Sequence, residues 1–300
     1  MLDWIYHFLV YTAIRQCQKE FPVSINIIMS ANKLHGKVAI ITGSSRGIGK
    51  ATAIELVKNG ASVVLNGRNQ DKLLEAENDI KALGGKVISV CCDISIPDQA
   101  AGLIDKTIET FSRLDILINN AGVSMRGNFG ELIPDIFKTV FETNVFGVVN
   151  VTIPALPHII RSYGSIVFIS SLAGIRGLPG LSAYCSSKMA LRAIAESLRI
   201  EEVNSKIHVG LILVGITEIE HEKKIIAADG KLATLNTRSN YKVQKAKTVA
   251  KAILKNIRKR NFKTTLTGIG KLNAAMQPIM PNVVEKILIH STNKIKDKLQ

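Results

Sequence analysis

The chain has 300 residues, 46% hydrophobic and 21% charged, enough to bury a full core and far from the composition of a disordered segment. Its net charge of +15 is lopsided: residues 1–220 hold 21 Lys/Arg against 20 Asp/Glu, whereas residues 221–300 hold 18 against 4. Cys17, Cys91, Cys92 and Cys185 show neither zinc spacing nor a C-x-x-C pair, which argues against a metal finger or disulfide framework and fits reduced thiols in a cytoplasmic setting.

Residues 1–32 read as an N-terminal extension. Trp4–Tyr11 is apolar but far short of the ~20 residues that cross a bilayer. Asp3 stands where a signal peptide carries positive charge, and Arg15 to Lys19 where small cleavage-site residues belong. Two readings stay open: an interfacial segment, or an extension ahead of a start at Met29.

Residues 33–270 alternate short apolar runs with amphipathic ones. Val38–Thr42 predicts a strand and Ile48–Asn59 a helix ending at Gly60. Ser62–Leu65, Val87–Cys92, "LDILINN", "GSIVFIS" and "HVGLILV" predict the next five strands. Between them, helices are predicted over Asp71–Leu83, Pro97–Phe111, from near Pro134, and over Ala183–Val203. Strands this continuously apolar belong to a parallel sheet covered on both faces, and the alternation predicts one doubly wound α/β domain of Rossmann type. Gly215–Tyr241 breaks the rhythm, carries no strand signal and reads as a substrate lid. A helix returns at Val249–Arg258, "FKTTLTG" predicts a last strand, and residues 271–300 form a basic amphipathic tail with Val284, Leu288, Ile295 and Leu299.

The loop "TGSSRGIG" after the first strand is shaped for a nucleotide. A Walker loop is excluded, because Ser44 occupies the place of its first glycine and Ala51 follows Lys50. Glycines at 43, 47 and 49 also miss the G-x-G-x-x-G spacing. The physics is shared: glycines allow close backbone approach, and a helix N-terminus presents N–H groups and a positive dipole to a pyrophosphate. Tyr184 and Lys188 lie one helical turn apart on one face, beside the carboxyl ends of the strands. Carbonyl reduction needs a proton for the developing alkoxide, and an ammonium beside a tyrosine favours the phenolate.

"TGSSRGIG", "NNAG" at Asn119–Gly122, "ISSLAG" at Ile169–Gly174 and Tyr184-x-x-x-Lys188 stand in one order along the chain. Together they resemble the motifs of the short-chain dehydrogenase/reductase family over roughly Leu34 to Leu266. The resemblance implies a single Rossmann domain with a central, mostly parallel seven-stranded sheet, assembled as a dimer or tetramer. It implies a catalytic set of Asn144, Ser171, Tyr184 and Lys188: Tyr184 as acid, Ser171 bonding the substrate carbonyl, Lys188 also holding the nicotinamide ribose, and Asn144 positioning a water toward Lys188. Ser170 is the structural alternative to Ser171. Cofactor contacts are implied at Gly43, Ser45, Arg46, Gly47, Ile48 and Gly49, at Asn120, Ala121 and Gly122, and at Asp93 and Ile94 for the adenine. Thr217 is implied for the nicotinamide carboxamide, in a segment where Val214-Gly215 replaces the family's Pro-Gly.

The position after the second strand that takes Asp or Glu in NAD-selective proteins is Gly67 or Asn66 here, with Arg68 next and Arg46 in the glycine loop. Two guanidinium groups without a carboxylate suit a 2′-phosphate, hence NADPH. The expected activity is reduction of an apolar, lipid- or steroid-like ketone, or the reverse oxidation. Ile216, Ile219, Ile225 and Ile226 in the lid point to that substrate class. A 3-oxoacyl reductase is the enzymatic alternative, and an NADP-binding sensor or scaffold the non-enzymatic one. The basic tail is expected to make a salt-sensitive peripheral contact with anionic membrane. Nucleic acid is disfavoured, because aromatic residues do not interleave with the basic ones.

Overall fold

In the computed structural model, residues 34–218, 224–234 and 243–296 are described, with side chains through His290. The extension 1–32 and lid position Ile219 lie outside the described residues, as do Ile295 and Leu299 where their side chains are concerned. Seven strands form one parallel sheet: β1 Val38–Ile41, β2 Ser62–Gly67, β3 Val87–Cys91, β4 Ile116–Asn119, β5 Ser165–Ser171, β6 His208–Val214 and β9 Lys263–Thr265. Their order is β3-β2-β1-β4-β5-β6-β9, so the winding reverses between β1 and β4.

Side-chain alternation divides the core in two. Ala39, Ile41, Val63, Leu65, Ile118, Val167 and Ile212 face one way, against α1 Gly47–Val57, α2 Gln70–Lys81 and α7 Ala246–Lys259. Ile40, Val64, Leu117, Ile166, Phe168 and Leu211 face the other way, against α3 Pro97–Phe111, α5 Gly147–Arg161 and α6 Ser182–Glu201. Both faces are covered, which is why alternation is invisible in the sequence of these strands.

Three departures from the sequence expectation have physical causes. The helix from Pro134 is not regular: α4 Asp135–Phe141 passes through a π turn, Glu142–Phe146, before α5. The lid contains a two-stranded antiparallel ladder, β7 Lys224–Ile226 with β8 Leu232–Thr234. Three-residue strands offer too little periodicity to be seen. Here they are held from outside, since Ile226 N–H donates to Ser124 O and Arg126 N–H to Ile226 O, both at 2.9 Å. The tail forms two helices, α8 Gly268–Ile279 and α9 Pro281–Lys296, with Pro278 tolerated one residue from the end of α8. The helical stretch Asp135–Arg161 is long and apolar enough to cross a membrane by length and composition. Its Val148, Val151, Ala155 and Ile159 are core residues here, which accounts for much of that hydrophobicity.

Asp115 anchors the amino edge of the sheet. It is 1% exposed and accepts from Arg113 Nε and Nη2 at 2.7 Å, Lys37 Nζ at 2.8 Å and Val38 N–H at 2.9 Å. Burial pushes its carboxyl up, but the hydrogen bonds from Arg113, Lys37 and Val38 outweigh it and hold the group below the usual aspartate range. Its stabilisation is therefore present above the unfolded-state value and lost as pH falls through the depressed folded value. Asp115→Asn is expected to cost roughly 2 kcal/mol at pH 7 and to remove part of the stability lost below about pH 4. Urea melts at pH 7 and pH 3 check both; equal losses at the two pH values would refute the assignment.

Candidate active site

A cleft of about 750 Å³ opens at the carboxyl ends of the strands, at the reversal between β1 and β4. One wall is the glycine loop. Gly43 has φ +61°, and a Cβ there would meet Ala121 Cα at 2.8 Å, so only glycine lets the loop lie against the "NNAG" segment. Gly47 has φ +60° and turns the chain into α1, which starts with no side-chain cap. The loop is pinned from behind. Ser44 Oγ donates to Ile41 O at 2.7 Å, and Asn120 Nδ2 donates to the carbonyls of Thr42 and Gly43 at 2.9 and 3.0 Å. A glycine cradle ahead of a helix N-terminus fits a pyrophosphate.

At one end of the cleft stand Gly67 and Arg68, with Asp93 and Ile94 opposite. Asn66, 2% exposed, turns its amide to Val90 O and Cys92 O, tying β2 to β3. The residues that end β2, Asn66 and Gly67, put no carboxylate beside Arg68. The fold brings one, since Arg68 Nη1 lies 3.2 Å from Asp93 Oδ2. Gly67 pairs with Cys91, so Arg68 faces Cys92 across the adjacent strand ends and reaches Asp93 one residue further along. Burial raises the Asp93 carboxyl, but hydrogen bonds from Ser95 and Arg68 prevail and keep it below the ordinary aspartate value. Arg68 is 60% exposed, so the pair is a surface contact of small energetic weight. Sequence reasoning missed Asn69 and Lys72 on this wall. Asn69 caps α2 by accepting from Lys72 N–H at 2.9 Å, an N-cap signal legible in "GRNQDK".

At the other end Tyr184 and Lys188 project from the first turns of α6. Lys188 is 4% exposed; its ammonium donates to Ile169 O at 3.0 Å and lies 5.8 Å from the centre of the Tyr184 ring. The two serines that end β5 separate by role. Ser170 Oγ, buried, donates to Lys188 O at 2.9 Å and fastens strand to helix. Ser171 Oγ accepts from Ala173 N–H at 3.2 Å, which leaves its own proton for an acceptor in the cleft.

Asn144 and Gly49, both named from sequence, do not line the cleft. Asn144, fully buried on the π turn, accepts from Val123 N–H at 2.8 Å and donates to Val123 O and Ser187 Oγ at 3.0 Å each. It clamps the chain after "NNAG" to α6 from behind, and a Cβ on Gly122 would meet Asn144 Oδ1 at 3.0 Å and Lys188 Nζ at 3.3 Å. Gly49 packs against the Gly43 carbonyl, Asn120 Nδ2 and Ser44 Cα, where any side chain would collide.

The mouth of the cleft is built by the β6 exit and the lid. Val214 stays in the ladder opposite Ser171 and ends β6. Beyond it Ile216 O accepts from Gln244 N–H, and Gln244 O accepts from Glu218 N–H, both at 2.9 Å, fixing Thr217 on the wall. Ile225 and Ile226 do not face a substrate: both are 7% exposed, and Ile226 packs with Met125, Ile136, Val140 and the half-buried Tyr184. The lid presents Lys224 and Leu232 to the cleft instead. No sequence signal marked either, because their placement follows from the unforeseen β7–β8 ladder.

The model of the family described as short chain dehydrogenase matches residues 37–230. The chain is 33% identical to "11-beta-hydroxysteroid dehydrogenase 1A" of Arabidopsis thaliana, over 89% of this chain and 78% of that one. It is 34% identical to "3-ketodihydrosphingosine reductase" of Mus musculus, over 82% and 77% respectively. A short chain dehydrogenase/reductase from Burkholderia phymatum, solved in complex with NAD, superposes with a TM-score of 0.74 at 23% identity, covering 84% of this chain and 96% of that one.

Proposed function

The chain belongs to the short chain dehydrogenase family of NAD(P)-dependent oxidoreductases, and on that footing we propose that it reduces an apolar ketone with NADPH. The observation that carries the reading is the convergence of Ser171, Tyr184 and Lys188 at one end of a cleft whose other end is a glycine cradle. The nicotinamide, when bound, supplies or accepts the hydride. The Ser171 hydroxyl donates a hydrogen bond to the substrate carbonyl oxygen and orients it. Tyr184 passes its phenolic proton to that oxygen as negative charge develops there. Lys188 supplies positive charge beside the resulting phenolate, held in place by Ile169 O. Asn144 and Ser170 act as positioning residues, one for the Val123 backbone and one for the Lys188 backbone.

Substrate class is inferred from Val123, Val214 and Leu232 on the cleft wall and from relatives whose names specify a steroid and a ketosphingoid base. Lys224 at the mouth favours a second reading, a 3-oxoacyl group carried on an anionic thioester. Self-association is supported by Phe146 and Ile153, 56% and 66% exposed at the start and middle of the α5 region. The test is a panel of steroid, sphingoid, 3-oxoacyl-thioester and small polar ketones, followed by loss of NADPH absorbance. Turnover confined to small polar ketones would overturn the apolar reading, and turnover of none would return the protein to a binding role.

The two serines give a sharper check. Ser171→Ala is expected to lower kcat by roughly 10²-fold, the order seen when one donor to a developing oxyanion is removed, with its melting temperature near native. Ser170→Ala is expected to lower the melting temperature by a few degrees, about 1 kcal/mol for one buried hydrogen bond, with a smaller loss of kcat. The reverse pattern would exchange their roles.

A further inference from the structure

α8 turns an apolar stripe outward. Ile269, Leu272, Met276 and Ile279 recur at the spacing that places them on one side of a helix. Ile269, Leu272 and Ile279 are 83%, 61% and 78% exposed. Exposed apolar residues continue through Met280 into Val283 and Ile287 of α9. Single exposed apolar residues need no explanation, but this many on two consecutive helices mark an interaction surface.

The orientation of these helices is set by contacts on their inner side. Gly270 is buried against Leu172, the residue after Ser171. Val284 is 7% exposed, Arg176 Nη1 donates to Gln277 Oε1 at 3.2 Å, and Arg176 Nη2 lies 3.7 Å from Glu285 Oε2. The pair is thereby fastened to the segment that follows the catalytic strand.

Charge decides what covers the stripe. Through His290 the two helices carry two cations, Lys271 and Lys286, and a single acidic residue, Glu285, which is engaged by Arg176. Closing two copies of this surface on each other would oppose like charges. An anionic surface is complementary to it, and exposed Lys271 and Lys286 lie on the same two helices. At 12 residues, α8 is about 18 Å long, too short to span a bilayer but suited to lie in its interface.

We propose that the α8–α9 face docks on an anionic lipid bilayer. Ile269, Leu272, Ile279, Met280, Val283 and Ile287 enter the headgroup–acyl boundary, and Lys271 and Lys286 remain among the headgroups. The surface places the membrane beside Leu172, hence beside the end of the cleft that holds Ser171. The proposal stands on the geometry and charge of these helices and is independent of which ketone is reduced. It departs from a purely electrostatic contact, because inserted apolar residues retain the protein in part when salt screens the lysines.

The test uses the full chain and its single tryptophan. Trp4→Phe combined with Leu272→Trp makes an exposed position of α8 the sole tryptophan. With vesicles of phosphatidylcholine and phosphatidylserine carrying brominated acyl chains, its emission is expected to shift blue and be quenched at least twofold. Vesicles of phosphatidylcholine alone should bind at least several-fold more weakly. The triple variant Ile269→Gln, Ile279→Gln, Ile287→Gln, changed only at exposed positions, is expected to sediment with anionic vesicles at least tenfold less than the native chain. Co-sedimentation with unchanged tryptophan emission would place binding elsewhere in the chain and overturn the proposal. So would native-like retention of the triple variant, or failure of the native chain to sediment with anionic vesicles at low salt. A native dimer that the triple variant dissolves, seen by light scattering, would assign the stripe to a second copy and also overturn it.

Discussion

Tyr184→Phe is expected to lower kcat by 10²–10⁴-fold, the range for loss of a positioned general acid, while NADPH affinity stays within about twofold of native. The asymmetry follows from where the two groups sit. On the proposed mechanism the phenol contributes a proton at the cleft end near Ser171, and its removal leaves the ring packed in the cluster of Met125, Ile136, Val140 and Ile226. Lys188→Ala is expected to damage both quantities, because the ammonium that faces Tyr184 also spans from Ile169 O toward Gly122. Stopped-flow turnover with fluorescence titration of NADPH separates the effects. Near-native turnover in Tyr184→Phe would remove the tyrosine from the reaction. A large loss of NADPH affinity in the same variant would turn the tyrosine into a cofactor-binding group.

The parallel sheet is legible in the sequence because each strand is a short apolar run bounded by polar or glycine positions, and covered strands have no other way to be satisfied. The glycine loop is legible because backbone at positive φ against Ala121 demands glycine at 43. What escapes is set by contacts distant in sequence. Ile225 and Ile226 look like a lid offered to substrate, but Ser124 and Arg126, a hundred positions earlier, capture Ile226 into a ladder. Asn144 looks like one more helical residue, and nothing in "FETNVFG" marks a π turn, whose reason is the clamp on Val123 and Ser187. The Arg68–Asp93 contact was within reach, since β2 and β3 are adjacent and parallel and Asp93 lies one residue beyond the position that faces Arg68. The outward stripe of α8 was hidden by Pro278, which reads as a helix breaker but lies too near the helix end to break it.

A preference for NADPH over NADH of at least tenfold in kcat/KM is expected, with Arg46 and Arg68 as its proposed source. Both guanidinium groups line the end of the cleft beyond the glycine cradle, and Lys72 adds a third cation on the same wall. A charge-assisted hydrogen bond to a 2′-phosphate contributes about 1.5–3 kcal/mol, which corresponds to roughly 10–100-fold in affinity. Asp93 tempers this, because its carboxylate holds Arg68 at 3.2 Å and competes with the phosphate for it. The competition is weak, as the guanidinium is 60% exposed and the pair is a solvent-screened one. Arg68→Asp is therefore expected to reverse the preference: it sets a second carboxylate beside Asp93, repels the 2′-phosphate and offers the 2′-hydroxyl an acceptor. A carboxylate side chain at the preceding position would also fit, since a Cβ on Gly67 meets nothing closer than Ser45 Oγ at 3.5 Å. Gly67→Asp should thus raise NADH use without disturbing the fold, a result that separates loss of the phosphate site from gain of a hydroxyl site. Equal kcat/KM for the two cofactors in the native protein, or an unchanged ratio in Arg68→Asp, would show that the cations on this wall do not read the 2′-position.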